Sequence, residues 1–235
     1  MDILDRLALF SYLDYSAIGL LFMLWLMIGW RIEHPSKKHA SVSVLMAEYR
    51  REWMRQMVTR EPRIYDAAIL ASLRQGTAFF ASASLISIGG VLALIGNTDQ
   101  LIGIADDLTL DRDPSIVWEL KLLVTLFFVT NAFLKFVWSN RLFGYCAVLM
   151  SAVPNDITDP RTMPRAMQAA EINVTAARGF NRGLRSVYFG LASVAWLAGP
   201  IALIGASLIT CLVLWRREFA SQSRDVLLSG DAHGA

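Results

Sequence analysis

The residues best placed to do chemistry are polar groups gathered where long apolar stretches end. Arg74 and Gln75 precede one such stretch. Asn131, Lys135, Ser139, Asn140 and Arg141 line the exit of another. Arg178, Asn181, Arg182 and Arg185 lead into a third. Several cations at one depth can hold an anionic lipid headgroup or a small anion. Arg178, Arg182 and Arg185 share one helix face by their i, i+4, i+7 spacing, whereas Lys135 and Arg141, six apart, do not. Lys135 and Asn131 fall inside an apolar stretch. An ionisable residue there is a functional candidate by default; the alternative is that Lys135, one turn before Trp138, snorkels to the interface.

Motifs for catalysis are missing from the sequence. It has no Walker A, no GxGxxG at a strand–helix turn, no HExxH and no CxxC. No nucleophile–base pair is legible, so a membrane enzyme is the least favoured reading, and no cofactor or metal is expected. His34 and His39 flank Pro-Ser-Lys-Lys, and the lysines oppose a cation. Asp106, Asp107, Asp111 and Asp113 read as a solvated acidic loop. Cys146 and Cys211 lie far apart in apolar stretches, so neither a disulfide scaffold nor a zinc ribbon is expected.

The elements that must position the polar ring are membrane spans. Apolar types make up 55% of the 235 residues and Asp, Glu, Lys and Arg only 18%, with a mean hydropathy of +0.44. Soluble domains are about 45–50% apolar and about 25% charged. A nucleic-acid partner is not expected. A crossing helix needs about 20 apolar residues, and four stretches qualify: about 15–30, 77–96, 122–138 and 188–215. Asp14 leaves the start of the first uncertain. The basic n-region and small-residue cleavage site of a signal peptide are lacking, so this stretch reads as a retained span. Trp30, Trp118, Trp138 and Trp215 fall at or near span ends, where an indole is half in lipid and half wet. Gly199-Pro200 interrupts the fourth stretch, leaving a full crossing or a re-entrant helix broken at Pro200.

The net charge of +2 is a cancellation. Residues 31–75 hold nine Lys and Arg and 140–186 hold six, while 97–120 hold only Arg112. The positive-inside rule then puts loops 31–75 and 140–186 in the cytoplasm of a bacterial inner-membrane protein, with both termini outside. The Arg216-Arg217 pair argues mildly against an outer C-terminus.

Between the spans the helical pattern continues. Residues 41–60 read as an amphipathic helix with Val42, Leu45, Met46, Tyr49, Trp53 and Met57 on its apolar stripe. It can lie on the inner leaflet or pack on other cytoplasmic helices. Helices two and three extend beyond the membrane, from Arg63 to Gly96 and from Pro114 past Trp138 toward Pro154, with Asp113 as a candidate N-cap. A further helix starts near Thr162-Met163-Pro164 and can run into span four. The expected fold is all-α: a four-transmembrane-helix antiparallel bundle extended into the cytoplasm, one domain over 1–217, with a polar, disordered tail over 218–235. Small-residue stripes, Ala83/Ser87/Gly90 and Ala198/Ala202/Ala206/Thr210, are expected to seat on neighbouring helices of the same chain, homodimerisation being the alternative.

Several of these residues carry a resemblance. Arg63-Ile64-Tyr65-Asp66, Phe79-Phe80-Ala81-Ser82, Lys135-Phe136-x-Trp138-Ser139, and above all Phe180-Asn181-Arg182-Gly183-x-Arg185-x-x-Tyr188-Phe189 followed by Trp196 and Gly199-Pro200 resemble the uncharacterised membrane family known as domain of unknown function 599. The likeness covers roughly 15–215. It implies an integral membrane helical protein and no particular substrate. The expected function is a non-catalytic scaffold or accessory subunit of a larger membrane complex. Anionic headgroups, a membrane complex or a second copy are the partners. The alternative is binding or transport of an anionic lipid or small anion by the polar ring.

Overall fold

The computed structural model describes residues 9–36, 39–98 and 114–230, and among them every regular element is helical. The order is α1 (Tyr12–Glu33), α2 (Val42–Met57), α3 (Ile64–Ile95), α4 (Ser115–Ser151), α5 (Thr162–Val194), a 3-10 turn (Ala195–Ala198), α6 (Pro200–Phe219) and α7 (Gln222–Gly230). Four are long and apolar enough to cross a membrane: α1, α3, α4 and the stretch beginning at Pro200.

Helix ends have local causes. Asp14 does not spoil the start of α1; it makes it. Ser11 Oγ accepts from the Asp14 N–H at 3.2 Å, and Asp14 Oδ2 accepts from the Ser11 N–H at 3.1 Å. This reciprocal cap satisfies two otherwise orphaned donors. Ser41 is wholly buried. It caps α2 by accepting from Val44 N–H and donates to the last turn of α1 at Ile32 O, 2.7 Å away. The 32 residues of α3 and 37 of α4 extend about 48 and 55 Å at 1.5 Å per residue, longer than a hydrocarbon core of about 30 Å. The candidate cap Asp113 and the acidic aspartates lie outside the described residues.

The fourth span differs from expectation. It is not one helix over 188–215. α5 runs from Thr162 to Val194, tightens into the 3-10 turn, and stops at Gly199, whose φ is +107° and ψ 167°. A residue before proline is excluded from the α region, and this backbone geometry is open essentially to glycine alone. Pro200 lacks the N–H that a first helical residue would leave unbonded, so it opens α6. The tail also departs from the expected disorder, since Gln222–Gly230 is helical. Arg224 Nε donates to Ala40 O at 2.9 Å and ties it down.

The chain divides into two compact units. The first comprises 1–30, 83–132 and 184–215. Its packing is aromatic: Phe128 stacks on Phe22 with centroids 5.3 Å apart and meets Trp25 edge-on at 5.2 Å. On the expected stripe of α3, Ser87 and Gly90 are exposed, and among the described residues no helix covers them. On α6 the buried face is Leu203, Ser207 and Leu214, to one side of the alanine stripe.

The second unit comprises 31–82, 133–183 and 216–235. Met54, Met57, Leu70, Phe143, Cys146, Met150 and Ala166 sit in its core. α2 therefore packs into protein through Met54 and Met57. Its inward face is rotated from the expected stripe, for Met46 and Tyr49 are exposed. Phe80, Phe136 and Phe180 form a ring cluster with centroids 5.4–5.5 Å apart.

Candidate functional site

The residues of the polar ring are divided between the two compact units. Asn131 and Arg185 belong to the first unit, and Arg74, Lys135, Arg141, Arg178, Asn181 and Arg182 to the second. In the first unit Asn131 Oδ1 accepts from Ser186 Oγ at 2.9 Å. Arg185 is buried, with its Nε beside Gly29. On the shared face of α5, Arg178 and Arg182 are exposed while Arg185 is not.

In the second unit several ring residues tie helices together. Arg182 Nε donates to Glu33 Oε1 at 2.8 Å. That hydrogen bond raises the guanidinium above its ordinary value. Asn181 Nδ2 donates to Ser43 Oγ at 3.4 Å, and Ser43 in turn donates to Glu218 through N–H and Oγ at 3.0 and 2.9 Å. Asn140 Nδ2 donates to Arg74 O. Arg141 is exposed and donates to Tyr145 Oη at 2.6 Å, one turn on. Lys135 is half-buried.

Other polar contacts of this unit were not legible in the sequence. Arg50, placed off the apolar stripe of α2, donates to Asn173 Oδ1; burial pulls it below its ordinary value. Asp66 is completely buried. One of its oxygens accepts from Trp53 Nε1 at 2.7 Å and from Arg60. Arg51 Nε donates to Glu171 at 2.6 Å, and this bond holds the Glu171 carboxyl below the usual carboxylate range. These contacts spread over a helical surface and give no convergent catalytic geometry.

A convergent arrangement lies in the first unit, on residues outside the expected ring. A pocket of about 320 Å³ is lined by Ser11 and Asp14 from the start of α1, Trp118 and Lys121 from the first turns of α4, and Leu197 to Pro200 from the α5–α6 break. Asp14 and Lys121 are 9% and 5% exposed, so a carboxylate and an ammonium are both withdrawn from water here. Asp14 Oδ1 accepts from Trp196 Nε1 at 2.8 Å, and Oδ2 accepts from Ser11 N–H and Ser11 Oγ. Lys121 Nζ lies 5.4 Å from the Trp118 ring centroid. Trp118 Nε1 is buried with no partner among the described residues. The signal available in the sequence was the spacing of Trp118 and Lys121 on one helix face, but nothing local links them to Asp14 or Trp196.

Among the described residues no three of His, Cys, Asp and Glu converge as metal ligands. No curated protein and no solved structure matches the chain. The family described as "Protein of unknown function, DUF599" matches residues 16–223, nearly the whole length, and the chain belongs to that family.

Proposed function

We propose that the protein is a non-catalytic, multi-pass scaffold or accessory subunit of a complex in the bacterial cytoplasmic membrane. The observation that carries this reading is the exposed face of α3. Only 11% of its most apolar stretch is buried, the lowest share among the four span-like helices. Ile86 and Phe79 are 76% and 66% exposed, and the small-residue face at Ser87 and Gly90 stands open between bulky side chains. In lipid, helices associate through close packing at small residues. Polar groups of the spans serve packing as well: Thr125 and Ser193 share a 2.8 Å hydrogen bond. Extraction in mild detergent followed by native mass spectrometry tests the reading. A co-purifying protein or second copy that is lost on Gly90→Leu is expected. A bare monomer in both forms would sink it.

Five crossings fit the contacts better than four. Within the first unit the starts of α1, α4 and α6 share one pocket with the end of the α5 segment. Within the second unit the ends of α1 and α6 meet, Arg31 lying 5.0 Å from the Phe219 ring centroid. α5 passes from the second unit to the first at residues 183–184, and α6 returns at 215–216. The part of α5 after Gly183 runs only to Val194, and with the 3-10 turn to Ala198, short of the about 20 residues of a typical crossing, so a length criterion passes over it. The N-terminus then lies outside, loops 31–75 and 140–186 inside, and the C-terminus inside.

A second reading, anionic lipid or small-anion binding on the cytoplasmic side, draws on Arg74 and Arg141. Both are exposed, and among the described residues neither is paired with a carboxylate. Such cations are attracted to an anionic leaflet by about 1 kcal/mol each.

A further inference from the structure

We infer that the pocket between the starts of α1, α4 and α6 is an oxyanion site, receiving a phosphate or carboxylate group on Lys121. It involves none of the cytoplasmic ring residues and, in the orientation proposed above, opens on the outer side of the membrane. Four observations converge. The cavity, about 320 Å³, falls within the range of small-ligand sites. Lys121 is 5% exposed and lines it; an ionisable group withdrawn from water at a cavity within a membrane protein is costly and marks a functional position. Asp14, the other charged group in the lining, is held by donors of the protein, its two oxygens accepting from Ser11 and Trp196. Trp118, which also lines the pocket, is 4% exposed and its Nε1 has no partner among the described residues. An ammonium has three donors, so Lys121 can keep a bond within the protein and still donate to a ligand.

The fourth observation is the helix end. Gly199 and Pro200 line the pocket where the 20-residue α6 begins. First-turn N–H groups have no intrahelical acceptor, and the N-terminal end of the dipole favours negative charge. The Gly199 turn sets that end against the wall formed by α1 and α4, and the Trp196–Asp14 hydrogen bond holds the turn in place. Trp118, stacked beside Lys121, closes the apolar side.

The test uses the full chain in detergent and in vesicles of equal parts phosphatidylglycerol and phosphatidylethanolamine. Inorganic phosphate and succinate probe a free solute by the thermal shift they produce. Native mass spectrometry of vesicle-extracted protein probes a phosphatidylglycerol headgroup. At least one probe should bind the wild type. Lys121→Gln, one atom shorter and still a donor but without the charge, should weaken that probe about tenfold or more, as loss of a charge-assisted hydrogen bond does. Ala198→Trp, which fills the cavity from an exposed position and leaves both charges in place, should abolish binding even if Lys121→Gln fails to fold. The responding arm identifies the source of the oxyanion. No response from any probe in the wild type, or a response that survives Ala198→Trp, overturns the assignment. Loss on Arg74→Ala or Arg141→Ala instead moves the anion to the cytoplasmic ring, and overturns it also.

Discussion

Among the described glycines, Gly183 is the one with least room for a side chain. A Cβ there would stand 2.6 Å from Phe136 Cε1 and 2.9 Å from Cδ1. The ring cannot swing aside, because Phe136 is fully buried and sits between Phe80 and Phe180. Two effects of Gly183→Ala therefore oppose each other. Alanine gains about 0.8–1.0 kcal/mol of helix propensity over glycine, while overpacking a filled site costs about 1–3 kcal/mol. Overpacking wins, and a lower thermal midpoint in detergent is expected. Gly144 supplies the opposite sign on α4. A Cβ there meets nothing within 4 Å, so Gly144→Ala should raise the midpoint by the propensity term alone. Equal shifts of the same sign would show that the ring cluster yields more readily than its burial implies. At this scale polarity was legible in the sequence and partnership was not. Asn131 and Arg182 stood out as polar residues near span ends, but Ser186 and Glu33 lie 55 and 149 positions from them. Asp14 looked like a flaw in a span because its cap partner, Ser11, lies just outside the apolar run.

The element that decides the fold is the break at Gly199-Pro200. α1, α3 and α4 begin and end within a few residues of the apolar and capping signals, since those signals act locally. The direction of the chain after residue 194 does not act locally. A run of 28 mostly apolar residues has the same composition whether it crosses once or turns back, so hydropathy alone joined α5 to α6. The only sequence mark of the reversal is glycine followed by proline. Gly199→Val places a branched side chain at φ +107°, a region that costs about 1–3 kcal/mol for a residue with a Cβ. Nothing lies within 4 Å of the position, so the cost is backbone strain rather than collision. The expected result is a lower thermal midpoint for Gly199→Val and a similar fall for Gly199→Ala. A Val variant much worse than Ala would instead indicate crowding. The helix in the tail is hidden from a local reading of the sequence for a related reason. Its residues are polar and solvated on most faces, and its anchor, the Arg224–Ala40 contact, spans 184 positions.

At the scale of the whole molecule, charge and topology constrain one another. Residues 31–75 and 140–186 together hold 15 cations and 8 acids, and 97–120 carry a net charge of −5. With four crossings that polarity is imperfect, because Arg216 and Arg217 fall on the outer side, against the rule that cations near span ends stay inside. A crossing by the second half of α5 removes the conflict. On that reading Arg216, Arg217 and Arg224 join the cations of residues 31–75 and 140–186 on one side, in keeping with the contact of Glu218 with Ser43. Arg31 beside Phe219 and Arg224 on Ala40 are further contacts of the same kind. The reversal at Gly199 and the placement of the last arginines are thus one question with one measurement. A C-terminal fusion to green fluorescent protein, which matures in the cytoplasm, should fluoresce. A C-terminal fusion to alkaline phosphatase, which needs the oxidising outer compartment for its disulfides, should be inactive. The same phosphatase inserted between residues 97 and 120 should be active, which fixes the sign of the assay within one protein. An active C-terminal phosphatase with a dark fluorescent fusion would restore four crossings. It would require the contacts between the end of α1 and the end of α6 to be absent in the membrane, which cross-linking of Ser43→Cys to Glu218→Cys would then fail to detect.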